Sequence, residues 1–174
     1  MRHPLEFISQ NLRRPMFYIF LALTILIFGI FRGLDQPLRT SAAPNGIVSF
    51  ELARSVPMSQ AIRDSWDADA RLFAAFGLGV DYLFMPVYAL ALSLGLLLAM
   101  NGKSGGYHSI AAWMGWGAIA AAFFDAVENF ALWQVLVNGA FLPYPQFAAF
   151  CASVKFILLI GGLITALAGG LIRK

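Results

Sequence analysis

The sequence has 174 residues, of which 60% are hydrophobic and 12% are charged, and its formal net charge is +3. About a quarter of the residues in a soluble domain are charged, so this chain has too few charges to coat a soluble surface. The basic residues lie mainly at the ends of apolar segments, which argues against a nucleic-acid-binding protein. The single cysteine excludes an intramolecular disulfide.

Four apolar segments approach or exceed the roughly 20 helical residues that are needed to cross the hydrocarbon core of a bilayer. They are predicted as helices at about 15–31, 72–100, 109–137 and 146–172. Lipid cannot satisfy an unpaired backbone and no strand-like alternation is seen, so helices are the expected structure. The sequence therefore predicts an all-α fold, an integral membrane four-helix bundle that forms a single transmembrane domain over residues 1–174.

Residues 32–71, called the outer segment below, form the only sizeable part of the chain outside the predicted membrane helices. Three prolines divide this segment into short pieces. The stretch 47–54 is predicted as a short amphipathic helix, Ser59 as the N-cap of a second short helix, and Asp67 as the N-cap of the second membrane helix. The outer segment is therefore expected to be a short, partly helical loop.

Basic residues favour an orientation with both ends of the chain in the cytoplasm. They precede the first helix (Arg13 and Arg14), follow the second helix (Lys103) and end the chain (Arg173 and Lys174). If the four helices alternate in direction, these groups all lie on one side of the membrane. The positive-inside rule assigns that side to the cytoplasm.

Four ionisable residues interrupt the apolar segments: Asp81, Asp125, Glu128 and Lys155. Each costs several kcal/mol in hydrocarbon unless it is paired or hydrated, so each is a candidate functional residue. Counting along the helices at ~1.5 Å per residue places all four at a similar height. We therefore expect a shared polar layer in the outer half of the bundle, beneath the outer segment.

Helical spacing indicates which residues face this polar layer together. Asp125, Glu128 and Asn129 are separated by three and four residues, so they share one helix face. Aromatic side chains, including Tyr82, Phe124, Phe130 and Trp133, are expected to wall a pocket beside the carboxylates. The predicted ligand-binding residues are Asp81, Asp125, Glu128, Asn129, Lys155, Glu51, Tyr82 and Tyr88. No metal or cofactor is predicted, because no cysteine–histidine spacing or phosphate-binding loop occurs.

A structural interpretation of the charged residues stays open. Lys155 could pair with one carboxylate and fix the register of two helices, since buried ion pairs often specify an arrangement more than they stabilise it. Three carboxylates against one lysine nevertheless leave excess negative charge. A proton, a cation, water or an arginine of the outer segment must balance that excess.

Three segments carry a resemblance: residues 46–53 (GIVSFELA), 81–88 (DYLFMPVY) and 125–129 (DAVEN). Together they resemble an uncharacterised group of small bacterial four-helix membrane proteins. The resemblance implies a multi-pass protein of the bacterial inner (plasma) membrane, and no mechanism transfers from it. In outline, the architecture is also similar to the EXPERA group of sterol isomerases and lipid-binding proteins, which keep acidic residues inside four- or five-helix bundles. That second likeness is an analogy of fold alone.

The leading functional hypothesis is a small membrane protein that binds an amphiphilic or cationic small molecule, or a lipid, in this polar pocket. Lys155 and Asn129 would orient the carboxylates, and Glu51 could close the top. A proton- or cation-coupled transporter is one alternative. An accessory subunit or assembly factor is another, and it would involve a homo-oligomer or a membrane protein partner besides the lipid bilayer. Whether the protein is an enzyme stays open; proton transfer by a carboxyl group would be the natural reaction.

Overall fold

The computed structural model describes residues 1–171 and builds them from six α-helices and one short 3₁₀ helix. Residue 172, the predicted end of the fourth long helix, lies outside the described residues. Arg173 and Lys174, two of the basic residues that favour the predicted orientation, lie outside them as well.

Four of the helices are long and apolar enough to cross a membrane. They are α1 (Gln10–Leu34), α4 (Ala68–Ala99), α5 (Gly106–Asn138) and α6 (Tyr144–Leu171). The four predicted apolar helices are therefore confirmed as helices. All four begin two to five residues earlier than the apolar pattern indicates. In α4, the Asp67 carboxylate accepts the Ala70 N–H at 2.8 Å, as expected for an N-cap.

The outer segment contains the 3₁₀ helix Gln36–Leu38 and two short α-helices, α2 (Ile47–Glu51) and α3 (Val56–Asp64). The prediction that Ser59 caps α3 is wrong, because Ser59 lies buried inside that helix. Ser55 is the N-cap, and its hydroxyl accepts the Met58 N–H at 3.3 Å. Pro57 fits within the first turn, where its missing N–H would have had no helical partner.

Contacts between residues divide the chain into two compact units, and α1, α4, α5 and α6 each contribute to both. The first unit contains Met1–Ile25, Met85–Phe123 and the described residues from Lys155 onward. Its apolar core includes Leu94 and Leu96 of α4 and Ala111 of α5.

The N-terminal residues close part of this first unit. Trp116 donates its indole N–H to the Arg2 carbonyl at 3.2 Å. The His3 ring is only 3% exposed, and it occupies the space that a side chain at position 115 would need, which explains why Gly115 is found there. Arg13 bonds the carbonyl of Ile8 at 2.8 Å, so the start of α1 is tied to the segment before it.

The second unit contains Leu26–Phe84 and Phe124–Val154. Its core joins the outer segment to α4 and α5, and Trp66 lies within it at 1% exposure. The Trp66 indole donates to the Leu38 carbonyl at 2.8 Å, and its ring packs edge-on against Phe50 with centroids 5.0 Å apart. These contacts hold the outer segment together, and the shared apolar core packs it against α4 and α5.

Two side chains of α3 also hold the outer segment to the end of α5. Arg63 donates its Nε–H to the Leu136 carbonyl at 2.9 Å, and Gln60 Oε1 accepts the Ala140 N–H at 2.8 Å. Both bonds satisfy backbone groups near the C-terminus of α5 that have no helical partner of their own.

Candidate functional site

The polar face of α5 is the most deeply buried group of polar side chains in the second unit. Asp125 is 3% exposed, Glu128 0% and Asn129 1%. Their spacing of three and four residues puts them on one face of the helix, as predicted. Leu132 continues this face one turn after Glu128 and joins the core that contains Phe50. The apolar core of the outer segment therefore directly follows the polar residues along α5.

Asn129 connects this face to α4. Its Nδ2 group donates to Asp81 Oδ2 at 2.9 Å and to the backbone carbonyl of Leu78 at 3.2 Å. Because both partners accept hydrogen bonds, the orientation of the amide is defined: Nδ2 points to α4 and the carbonyl oxygen Oδ1 points elsewhere. Asp81, which is half-buried, and Asn129 are therefore brought together as the sequence suggested.

An open groove of about 250 Å³ runs between α4 and α5 beside this contact. Small and aromatic residues line it: Ala75, Leu78, Gly79 and Tyr82 from α4, and Asn129, Phe130 and Trp133 from α5. Tyr82 donates its hydroxyl hydrogen to the Ala126 carbonyl at 3.2 Å and so links the two helices at this level. The lining is mainly apolar, and Asn129 supplies its deepest polar group.

Three of the four aromatic residues that were predicted to wall the pocket line the groove. Tyr82, Phe130 and Trp133 all line the groove, yet they are 49%, 53% and 45% exposed, so the groove is open along one side. Phe124 is not among its lining residues. The Phe124 ring packs edge-on against Phe150 of α6 instead, with centroids 6.4 Å apart.

Glu51 of the outer segment is buried, at 8% exposure, at the end of α2. Its neighbour Phe50 belongs to the same core as Leu132 of α5. The structure therefore places Glu51 on the element that packs over the continuation of the polar face. The sequence-based prediction for Glu51 rested only on its location in the outer segment.

Two predicted site residues, Tyr88 and Lys155, belong to the first unit. Both are buried there, at 7% and 5% exposure, and the Lys155 ammonium lies 4.9 Å from the centre of the Phe156 ring. An ammonium over an aromatic face is a stabilising arrangement in a site with little water.

Sequence reasoning missed the small residues of the groove. Ala75 and Gly79 lie four residues apart on α4, on the face that carries Leu78 and Tyr82. A Cβ built at Gly79 meets no atom within 4 Å, so the missing side chain is what leaves this part of the groove open. A glycine inside an apolar helix indicates a possible gap on the helix surface, but the other glycines of the same helix give the same indication.

Within residues 1–171, no three histidine, cysteine, aspartate or glutamate side chains are grouped so that they could hold a metal ion. What the arrangement offers instead is buried carboxylates, a buried amide and an adjoining apolar groove. Comparison of the chain with protein-family models, with curated proteins and with solved structures found no match.

Proposed function

We propose that the protein is an integral membrane four-helix bundle that binds an amphiphilic or cationic small molecule, or a lipid, in the outer half of the bundle. The proposed location is the bacterial inner (plasma) membrane, with both ends of the chain in the cytoplasm. Support for membrane insertion comes from four helices that are long and apolar enough to cross a bilayer. Exposed large apolar side chains cover these helices, as a lipid-facing surface requires.

The observation that carries the binding proposal is the burial of Asp125, Glu128 and Asn129 on one face of α5. A carboxylate within a membrane-spanning helix costs several kcal/mol unless its charge is compensated. A ligand with a cationic or hydrogen-bond-donating head would interact favourably with this face and with Asp81 beside it.

Neutralising the α5 carboxylates tests this proposal. We expect Asp125→Asn and Glu128→Gln each to weaken the binding of a fluorescent long-chain alkylammonium probe at least about tenfold, since a tenfold change corresponds to only ~1.4 kcal/mol. The matched control is Asp69→Asn, which makes the same chemical change at an exposed carboxylate in the first turn of α4. Thermal unfolding in detergent reports whether each variant is folded.

Two outcomes contradict the proposal. Unchanged affinity in both folded variants would show that the carboxylates do not contact the probe. Loss of the folded protein in both variants would assign the carboxylates a structural role in the bundle.

A second candidate function, an accessory subunit or assembly factor, is favoured by α1. Of its 25 residues only Ile27 is buried, and Tyr18, Ile19 and Leu26 are all more than half exposed. A helix with so little packing inside its own chain has a long apolar face for a partner helix. Purification in mild detergent followed by mass spectrometry tests this candidate, which requires a stoichiometric partner or a second copy of the chain.

A further inference from the structure

Asn129 has one polar atom that the fold does not use. Both hydrogen bonds of its side chain are made by Nδ2, to Asp81 and to the Leu78 carbonyl. Among the described residues 1–171, its buried oxygen Oδ1 has no hydrogen-bond partner. An unpaired amide oxygen in an apolar environment costs about 1–3 kcal/mol, so this arrangement persists at an energetic disadvantage.

The same residue lines the groove between α4 and α5. The groove of about 250 Å³ is smaller than the roughly 300–1,000 Å³ of a site that encloses a whole ligand. It is open along one side, between half-exposed aromatic rings, so one part of a ligand can lie in it while the rest extends outward. Its lining is mainly apolar, which suits a hydrocarbon chain rather than a polar headgroup.

We infer that this groove takes a single hydrocarbon chain that carries a hydroxyl or amine group, and that this group donates a hydrogen bond to Asn129 Oδ1. The inference rests on the proposed function and names the ligand class of that site. The chain packs against Tyr82 and Trp133, where it replaces a lipid tail. The donor reaches the amide oxygen at the back of the groove.

Selectivity in this arrangement comes from the polar end of the ligand. Lipid tails are as apolar as leucine, so moving a hydrocarbon chain from the bilayer into the groove provides little hydrophobic gain. A hydroxyl or amine group at the same depth in the bilayer lacks partners, whereas in the groove it meets Asn129 Oδ1 and has Asp81 nearby. Chains that lack a donor should therefore bind no better than bulk lipid.

Photolabelling can test the ligand class. The full-length protein in phosphatidylcholine nanodiscs is labelled with a long-chain alcohol that carries a diazirine on its chain, and with the methyl ether of the same alcohol. We expect the alcohol to label the α4 peptide that contains Tyr82 and the α5 peptide that contains Trp133. The labelling should be at least about tenfold stronger than with the ether, which can only accept hydrogen bonds.

A glycine pair supplies matched variants. Gly79→Leu adds a side chain directly in the groove, and Gly77→Leu adds the same side chain to the same helix outside the groove lining. A Cβ at either position meets no atom within 4 Å, and leucine is a better helix former than glycine, so both variants should fold. We expect Gly79→Leu to reduce labelling by the alcohol to the level of the ether, and Gly77→Leu to leave it unchanged.

Equal labelling by alcohol and ether, or equal labelling of the two leucine variants, would overturn the inference. Mass spectrometry of solvent extracts from purified protein distinguishes the ligand source: a retained hydroxylated lipid that Gly79→Leu loses indicates a bilayer component, and labelling without one indicates a free amphiphile.

The carboxylate test is independent. If Glu128→Gln abolishes alkylammonium binding while Gly79→Leu leaves labelling intact, the proposed function stands and the groove assignment fails. The reverse pattern retains the groove and rejects the carboxylates as ligand contacts.

Discussion

The two compact units differ in how they use buried polar side chains. In the described part of the first unit, the buried polar residues are His3, Ser93 and Lys155. The second unit buries three acidic side chains and an amide: Glu51, Asp125, Glu128 and Asn129. Buried acidic groups therefore occur only in the second of the two units among residues 1–171. Hydropathy alone shows no such difference, because the same four long helices supply both units.

Three hydroxyl groups on the long helices of the first unit are bonded to backbone carbonyls. Ser93 donates to the Gly115 carbonyl at 3.3 Å, Thr24 to Phe20 at 2.7 Å and Thr165 to Gly161 at 2.8 Å. The protons of these hydroxyl groups are engaged with the helix backbone, so the groups are poorly placed to relay protons through the first unit. The comparison therefore argues against proton-coupled transport in particular. A liposome assay at several pH values checks this: we expect no flux, and measurable flux would revive the transport alternative.

The largest expected effect is on the core that holds the outer segment. We expect Trp66→Ala to lower the free energy of unfolding by about 3–5 kcal/mol, the usual range for truncating a buried aromatic. The indole hydrogen bond to Leu38 is lost as well. Trp113→Ala, at a position 59% exposed in the first unit, should change stability by less than about 1 kcal/mol. Thermal and denaturant unfolding in detergent would measure both, and equal effects would remove the distinction between the units.

A smaller effect is expected at the entrance to α2. Gly46 has φ +57°, and a Cβ there would collide with the Asp35 carboxylate, which accepts the Ile47 N–H at 2.8 Å. Gly46→Ala should cost about 2–4 kcal/mol, from backbone strain and from the weakened hydrogen bond. Gly77→Ala, in open space on α4, should instead stabilise by up to about 1 kcal/mol. Denaturant titrations of the two variants check the prediction, and a neutral Gly46→Ala would show that Asp35 does not anchor the outer segment.

The smallest expected effect concerns pH and the first unit. Burial lowers the pKa of His3 from 6.5 to about 4; Glu6 opposes this shift, and Arg13 and His108 add to it. The unfolded chain binds a proton at higher pH than the folded chain, so stability should fall as the pH falls through this interval. The loss attributable to His3 should be about 2 kcal/mol between pH 7 and pH 5.

The free energy of unfolding should therefore change less across that pH interval for His3→Gln than for the natural chain. His108→Gln serves as the control, because it makes the same substitution at a histidine that is less buried. If the free energy of unfolding of His3→Gln fell as steeply with pH, the assignment of this pH dependence to His3 would be contradicted.

Much of the helical framework could be predicted from the sequence, because long apolar runs leave few alternatives to helix. The common face of Asp125, Glu128 and Asn129 followed from helical periodicity alone. The early start of α1 did not, since the polar turn before Pro15 carries no apolar signal and depends on Arg13 bonding nearby carbonyls. The sequence favoured Ser59 as the cap of α3, and only the fold shows that Ser55 has that role while Ser59 lies buried inside the helix.

The groove could not be predicted because it depends on how α4 and α5 are rotated about their axes. That rotation turns Gly79 towards the same space as Trp133, and no sequence periodicity fixes such an angle between two mainly apolar helices. The acceptor for Asn129 was also hidden, because one of its two partners is the Leu78 backbone carbonyl. Any residue could supply that carbonyl, so side-chain patterns give no indication of it.

The nitrogen and the oxygen of the Asn129 amide have different roles in the proposed arrangement, and this constrains how the protein can evolve. Its nitrogen links two helices, and its oxygen is the proposed acceptor for a ligand, so in that proposal a substitution there would alter ligand preference and loosen the bundle at once. The residues at positions 79 and 133 have a single role, because they shape the groove without hydrogen-bonding across it. If the groove binds a hydrocarbon chain as proposed, evolution towards a longer, shorter or branched chain would therefore proceed through those two positions, with Asn129 retained as the hydrogen-bond acceptor.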